Sequence, residues 1–216
     1  MYIIICLIVA LLLYFKFVLH LSIKYKTFFR KGFAPNRGDF GVYCYCGKQG
    51  KGKTYSVIEF LRENKDKEIY CNIPDIKGIK YTYFNGFDEL LKLRDKKNCI
   101  IVYDEIFTAL TRTSKMNTDV LDFLSQMRKR QIVFLTTAQE WLEINITLRR
   151  YCRYQIECNM FNLFGFGLLL KSFYDAEQMK WNNLENEYVA PLKSFTISKC
   201  NKIVADSYDT NAQISS

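Results

Sequence analysis

The chain carries one histidine, His20, and no C-x-x-C pair among its eight cysteines. The ligand spacing of a usual zinc site is absent. No internal repeat or low-complexity block occurs, and 216 residues suffice for one domain of moderate size and little else. The apolar N-terminus lacks the basic leader and the small-x-small site of a cleaved signal peptide. The polar stretch from Asp206 to Ser216 reads as a frayed tail.

What is present is apolar and basic. Hydrophobic residues make up 49% of the chain, enough for a real core. Lys and Arg number 31 against 22 Asp and Glu, a formal charge of +9. Such a balance suits nucleic acid or an anionic membrane surface, and also a plain excess of solvated lysines. Cys44, Cys46, Cys71 and Cys99 fall on expected strands, where a free cysteine packs as a small apolar residue. That usage fits a reducing cytoplasm.

Residues 1–23 read as a transmembrane anchor. Tyr2 to Phe15 carries no charge, and Phe17, Val18, Leu19, Leu21 and Ile23 extend the run past Lys16 and His20. About 20 such residues cross a bilayer. Lys24, Lys26, Arg30, Lys31 and Arg37 follow in a basic linker, 24–39, and the positive-inside rule keeps them cytoplasmic. The expected topology is a single pass through a membrane, with the rest of the chain in the cytoplasm. A cleaved signal peptide and an amphipathic or core helix are the other readings.

Gly47-Lys48-Gln49-Gly50-Lys51-Gly52-Lys53-Thr54 has the form G-x-x-x-x-G-K-[ST]. The glycines let backbone N–H groups face phosphate oxygens, Lys53 reaches the β- and γ-phosphates, and the Thr54 hydroxyl ligates Mg²⁺. Gly47, Gly50, Gly52, Lys53 and Thr54 thus form a candidate ATP site. The apolar run Phe40–Cys46 precedes the loop and a helix-like run from Tyr55 to Asn64 follows, the setting that this loop requires.

Cys99-Ile100-Ile101-Val102-Tyr103-Asp104-Glu105 is an apolar run that ends in two carboxylates. A buried parallel strand reads as such a run, and ligands sit at its C-terminal end. Asp104 is placed in the Mg²⁺ shell, through water, and Glu105 on the attacking water. Met127-Arg128-Lys129-Arg130 leads into a third apolar run, 131–136, and then to Gln139. Gln139 can contact the γ-phosphate or the catalytic water. Arg128 can act in trans across a subunit boundary, with Arg130 and Arg149 as other candidates. A capped strand end for Gln139, and a helix C-terminus for Arg128 to Arg130, are the alternatives.

Strands are expected near 40–46, 68–72, 99–104, 131–136 and 151–160, with helices near 53–64, 86–95 and 117–130. In the last helix Val120, Leu121, Phe123, Leu124 and Met127 recur at helical spacing. Alternating strands and helices imply an α/β fold with a parallel sheet covered on both faces. The nucleotide-binding core is bounded at 40–160 and followed by an extension, 161–205. Within it the glycine-interrupted run 161–170 reads as a hairpin or a second membrane-proximal patch.

The order of P-loop, strand with Asp-Glu, basic cluster, strand and Gln resembles the additional-strand ATPases of the FtsK/HerA superfamily. Within it the likeness is to the Zot-like assembly ATPases of filamentous phages and the genome-packaging ATPases of membrane-containing viruses. Arg128 stands eleven residues before Gln139, the spacing of the Zot-like Arg and sensor Gln, with Met127 and Lys129 where those proteins carry histidines. Ser207-Tyr208-Asp209-Thr210 is similar to the Tyr-Asp-Thr/Ser ending of such domains. The resemblance implies a RecA-like fold, a hexameric ring of identical subunits, a DNA substrate and other virion assembly proteins as partners. The anchor before the domain departs from the Zot-like order; the resemblance implies the host inner membrane, or a virion membrane, as its place. A nucleotide-dependent membrane scaffold that never touches DNA is the reading from another class. A basic pore surface, for which Arg112 and Lys115 are candidates beside a plain solvated loop, separates the two.

Overall fold

The computed structural model describes residues 2–17, 40–113, 115–163, 166–183 and 187–209. Helix α1 spans Tyr2–Phe17 and its side chains at 2–12 are exposed. Sixteen residues at about 1.5 Å each fall short of a hydrocarbon layer of about 30 Å. Among the described residues no helix is long and apolar enough to cross a membrane. The rest of the expected anchor, 18–23, and the linker, 24–39, lie outside the described residues.

From Phe40 onward the chain alternates as its apolar pattern requires. The elements are β1 (Gly41–Cys46), α2 (Lys53–Glu63), β2 (Glu68–Cys71), β3 (Thr82–Tyr83), α3 (Gly86–Lys92), β4 (Cys99–Tyr103), α4 (Thr118–Gln126) and β5 (Val133–Ala138). They continue as α5 (Ile146–Tyr151), β6 (Cys152–Leu163), β7 (Phe166–Asp175), β8 (Lys180–Asn182), β9 (Glu187–Val189), β10 (Leu192–Lys199) and α6 (Lys202–Ala205). An eight-stranded sheet runs β10-β7-β6-β1-β5-β4-β2-β3, and β8 and β9 form a separate hairpin. From β6 to β3 every neighbour is parallel. The expected parallel sheet is thus extended at one border by β7, antiparallel to β6, and by β10, antiparallel to β7. The run 161–170 belongs to the β6–β7 hairpin, which pairs from Tyr154 with Asp175 to Leu163 with Phe166.

The central strands are buried on both faces, and the pleat divides their side chains between two cores. Tyr43, Tyr45, Ile100, Val102 and Leu135 pack with Tyr55, Ile58 and Leu61 of α2. Val42, Cys44, Ile101, Tyr103 and Phe134 pack with Phe123 and Leu124 of α4 and Leu148 of α5. The cysteines on these strands are free and buried. Burial pushes Cys158 up to about 12, so it packs as a thiol.

The helix expected over 117–130 stops at Gln126, because residues 127–131 turn. The Ile132 N–H donates to the Met127 carbonyl at 2.9 Å, and Gln131 takes a left-handed φ of 58°. That turn delays β5 to Val133 and leaves Arg128, Lys129 and Arg130 on the edge where the strands begin.

Candidate functional site

The loop between β1 and α2 lies at the C-terminal edge of the sheet. Gly52 caps α2 with φ 87°, a left-handed conformation that a side chain would strain. A Cβ there would stand 2.9 Å from both Leu169 and Met160, so the β6–β7 hairpin closes the floor under the loop. At Gly47 a Cβ would meet the Cys158 carbonyl oxygen at 2.7 Å. The loop therefore lies backbone against backbone on β6. The N-terminus of α2 opens towards the space above, a setting that attracts anions.

Lys53 is 8% exposed, and its Nζ donates to the Lys48 carbonyl at 3.3 Å, folding over the loop. Thr54 Oγ1 donates to Asp104 Oδ2 at 3.2 Å, which joins the loop to the end of β4. Asp104 is 3% exposed. Its backbone exchanges two hydrogen bonds with the side chain of Asn72: Asp104 N–H to Oδ1 at 2.7 Å, and Nδ2 to its carbonyl at 3.2 Å. The Thr137 hydroxyl donates to Asp104 Oδ1 and accepts the Glu105 N–H at 2.8 Å. Burial pushes the Asp104 carboxyl above the usual carboxylate range, with the Thr137 hydrogen bond opposing, Glu105 repulsion adding, and Thr54 and Lys53 opposing. Glu105 is half-buried, with φ 57°. A non-glycine residue held left-handed stores strain, and such strain clusters at functional sites.

These residues fit a divalent cation. Asp104 has hydroxyl partners but no Lys or Arg ion pair among the described residues. Its buried charge is therefore open to a cation beside Thr54. No group of three or more His, Cys, Asp or Glu able to hold a metal occurs among the described residues, so phosphate oxygens and water would complete the shell.

The Gly47 N–H contacts the carbonyls of Ala138 and Gln139, at 3.3 and 3.2 Å. Gln139 thus flanks the loop, with its side chain exposed. Arg128 lies at the other edge, beside Gly41 and ion-paired with Glu177. The length of β1, about 20 Å, separates it from its own loop. Arg130 lies on that edge too, with its carbonyl bonded to the Asn98 N–H at 2.9 Å, and Arg149 is buried in α5. Arg112 and Lys115 are exposed between β4 and α4.

Sequence reasoning missed Thr137 and Asn72, whose places come from pairing across the sheet. The expectation of a frayed tail from residue 206 is corrected over 206–209, where Ser207 is 1% exposed. Tyr208 packs against the α2 core, and burial, with Asp104 adding, pushes its hydroxyl up to about 12. The carbonyl of its neighbour Ser207 accepts the Lys77 N–H at 2.7 Å. Thr210 lies outside the described residues.

Strand β5 stands between β1, which carries the loop, and β4, which carries the carboxylates. Loop, intervening strand and carboxylate pair together define a P-loop nucleotide site on an α/β fold. The fold is shared with the N-terminal domain of zonular occludens toxin from Neisseria meningitidis, at 19% identity over 78% of this chain and 98% of that one, with a TM-score of 0.54. The genome-packaging NTPase B204 of Sulfolobus turreted icosahedral virus 2, in complex with AMPPCP, is similar at 10% identity over 72% of this chain and 97% of that one, with a TM-score of 0.49. No protein-family model and no curated protein matches the chain.

Proposed function

We propose that this chain is an ATPase of the FtsK/HerA type, anchored in a membrane and working as a ring, that powers viral DNA packaging or virion assembly. The observation that carries the reading is Asp104, held between Thr54 of the loop and Thr137 of β5 at the mouth of the site. The loop N–H groups and Lys53 bind and orient the phosphates. Thr54, and Asp104 through water, would hold Mg²⁺, which would neutralise charge on the phosphate oxygens. Glu105, one residue beyond Asp104, orients the attacking water, and Gln139 contacts it or the γ-phosphate. The gain comes from positioning and from charge aimed at the transition state.

The ring rests on Arg128. It cannot reach its own loop, so its use in catalysis requires a neighbouring subunit. The anchor rests on the apolar α1 and on the basic residues after it in sequence. DNA as substrate rests on the net charge of +9 and on the resemblance in motif order to the genome-packaging ATPases.

The test is ATP turnover by the full chain with and without DNA. Stimulation by DNA that fades as salt rises is the expected result, because phosphate contacts release counterions, with log K falling by about 0.9 per contact for each unit of log salt. A chain that forms rings and hydrolyses ATP, yet binds no DNA at about 50 mM salt, contradicts translocation.

A further inference from the structure

The nucleotide loop occupies one edge of the sheet, and the opposite edge has its own chemistry. There the parallel strands begin. β10 runs in the same sense as β6, because each is antiparallel to β7, so its start lies on this edge as well. Lys97 precedes β4, Lys129 and Arg130 precede β5, Arg153 opens β6 and Lys193 opens β10. Lys97, Lys129 and Arg130 line a concave pocket of about 440 Å³ with Asp95 and Gln126. One Arg130 Nη is buried without a hydrogen-bond partner.

The β8–β9 hairpin stands on the same edge. Its first foot leaves β7 through residues 176–178, where Glu177 pairs with Arg128, and its second foot leads into Lys193 of β10. Trp181 and Tyr188 are cross-strand partners in edge contact at 5.2 Å, and they remain 51% and 54% exposed. Lys180 flanks them, and Val189 and Leu192 add exposed apolar surface. Asp95, Asp175, Glu177 and Glu68 each stand beside a cation on the edge, and Asp66 before β2 and Glu187 on β9 are further acids there.

We infer that this edge, with its Trp181–Tyr188 hairpin, is a docking face for an anionic lipid surface. Lysine and arginine meet the phosphates of the headgroups, each worth about 1 kcal/mol near such a surface. Trp and Tyr are the residues that settle at a membrane–water interface, with the ring in the apolar layer and the polar atom in water. The chain arrives from α1 and the basic linker at Phe40, and Gly41 starts β1 on this same edge. An anchor in the bilayer therefore delivers this edge to the surface at high effective concentration. Arg128 lies on this edge too, so docking and the use of Arg128 by a neighbouring subunit belong to different states of the chain. The inference rests on the membrane-anchored reading.

The experiment uses the full chain in vesicles of phosphatidylcholine alone, or with phosphatidylglycerol, each made with brominated acyl chains. The chain has two tryptophans. Trp141 is buried just past β5 on the nucleotide edge, and the Trp181→Phe variant isolates the signal of Trp181. Loss of the Trp181 emission in anionic vesicles is expected. It should persist in neutral ones and return at about 1 M salt, where the Debye length is about 3 Å. Lys97→Glu with Lys129→Glu should also restore it while the chain still hydrolyses ATP; Lys97→Gln with Lys129→Gln serves if the reversal fails to fold. Unquenched Trp181 in anionic vesicles, or equal quenching in neutral ones, overturns the inference. So does a single-stranded oligonucleotide that binds the edge and is lost with the same substitutions while lipid has no effect. A chain that does not float with vesicles overturns the anchor itself. A chain that floats with Trp181 unquenched overturns only the docking.

Discussion

The Thr137 hydroxyl gives its proton to Asp104 and takes the N–H of Glu105 at 2.8 Å, so one side chain of β5 fixes both carboxylate residues at the end of β4. Replacing it with valine keeps the shape and leaves an acceptor and a donor unmatched, at about 1–3 kcal/mol each. Thr137→Val should lower both the unfolding midpoint and the turnover rate, and Thr137→Ser should recover both. Denaturant unfolding beside steady-state ATPase assays reads this out. Wild-type turnover in Thr137→Val contradicts the role.

Lys171 on β7 donates to Glu59 of α2 at 2.6 Å, with both side chains largely buried. The pair ties the helix that carries Lys53 and Thr54 to the hairpin beneath it. Removing one partner strands a buried charge, at about 3–5 kcal/mol. Lys171→Ala should lose stability on this order, and Lys171→Met with Glu59→Leu should regain most of it. A double-mutant cycle by chemical denaturation measures the coupling.

Gly50 and Gly52 both have left-handed backbone, but only Gly52 is crowded. Alanine at either position meets the left-handed penalty of about 1–2 kcal/mol. At Gly52 it also collides with Leu169 and Met160 at 2.9 Å. Gly52→Ala should therefore weaken nucleotide binding and stability more than Gly50→Ala. Isothermal titration with a non-hydrolysable ATP analogue separates them, and equal losses contradict a floor built by the β6–β7 hairpin.

Arg128 is held by Glu177 on the edge away from its own loop. Arg128→Ala subunits should bind nucleotide normally and, mixed with wild type, lower activity more steeply than dilution. A trans arginine is worth about 10³–10⁵ in rate in related phosphoryl transfers. Activity that falls linearly with the mixing ratio removes Arg128 from the site and leaves Arg130 and Arg149 as candidates.

The half of the site written in consecutive residues was legible in the sequence. Gly47 to Thr54 and the apolar run into Asp104 and Glu105 each state a local geometry, a loop at a helix start and a strand end. Thr137 and Asn72 could not be read that way. They reach Asp104 across separations of 33 and 32 residues, set by which strands pair. The turn at Gln131 was missed for a different reason. The apolar run of β5 begins at Ile132, and the left-handed residue before it shifts the strand without altering the pattern. The last antiparallel strand was hidden because β10, at the sheet border, is largely exposed and carries few large apolar side chains. The hairpin over 161–170 was one of two open readings until its pairing was seen.

The most direct measurement is ATP binding and turnover by Glu105→Gln in the full chain. The substitution keeps the size of the side chain and removes the charge that orients water. The account predicts nucleotide affinity close to wild type and turnover lower by about 10²–10⁴, the value of a positioned general base. Lys53→Ala, measured alongside, should lose binding itself. Glu105→Gln turning over ATP at the wild-type rate would contradict the account.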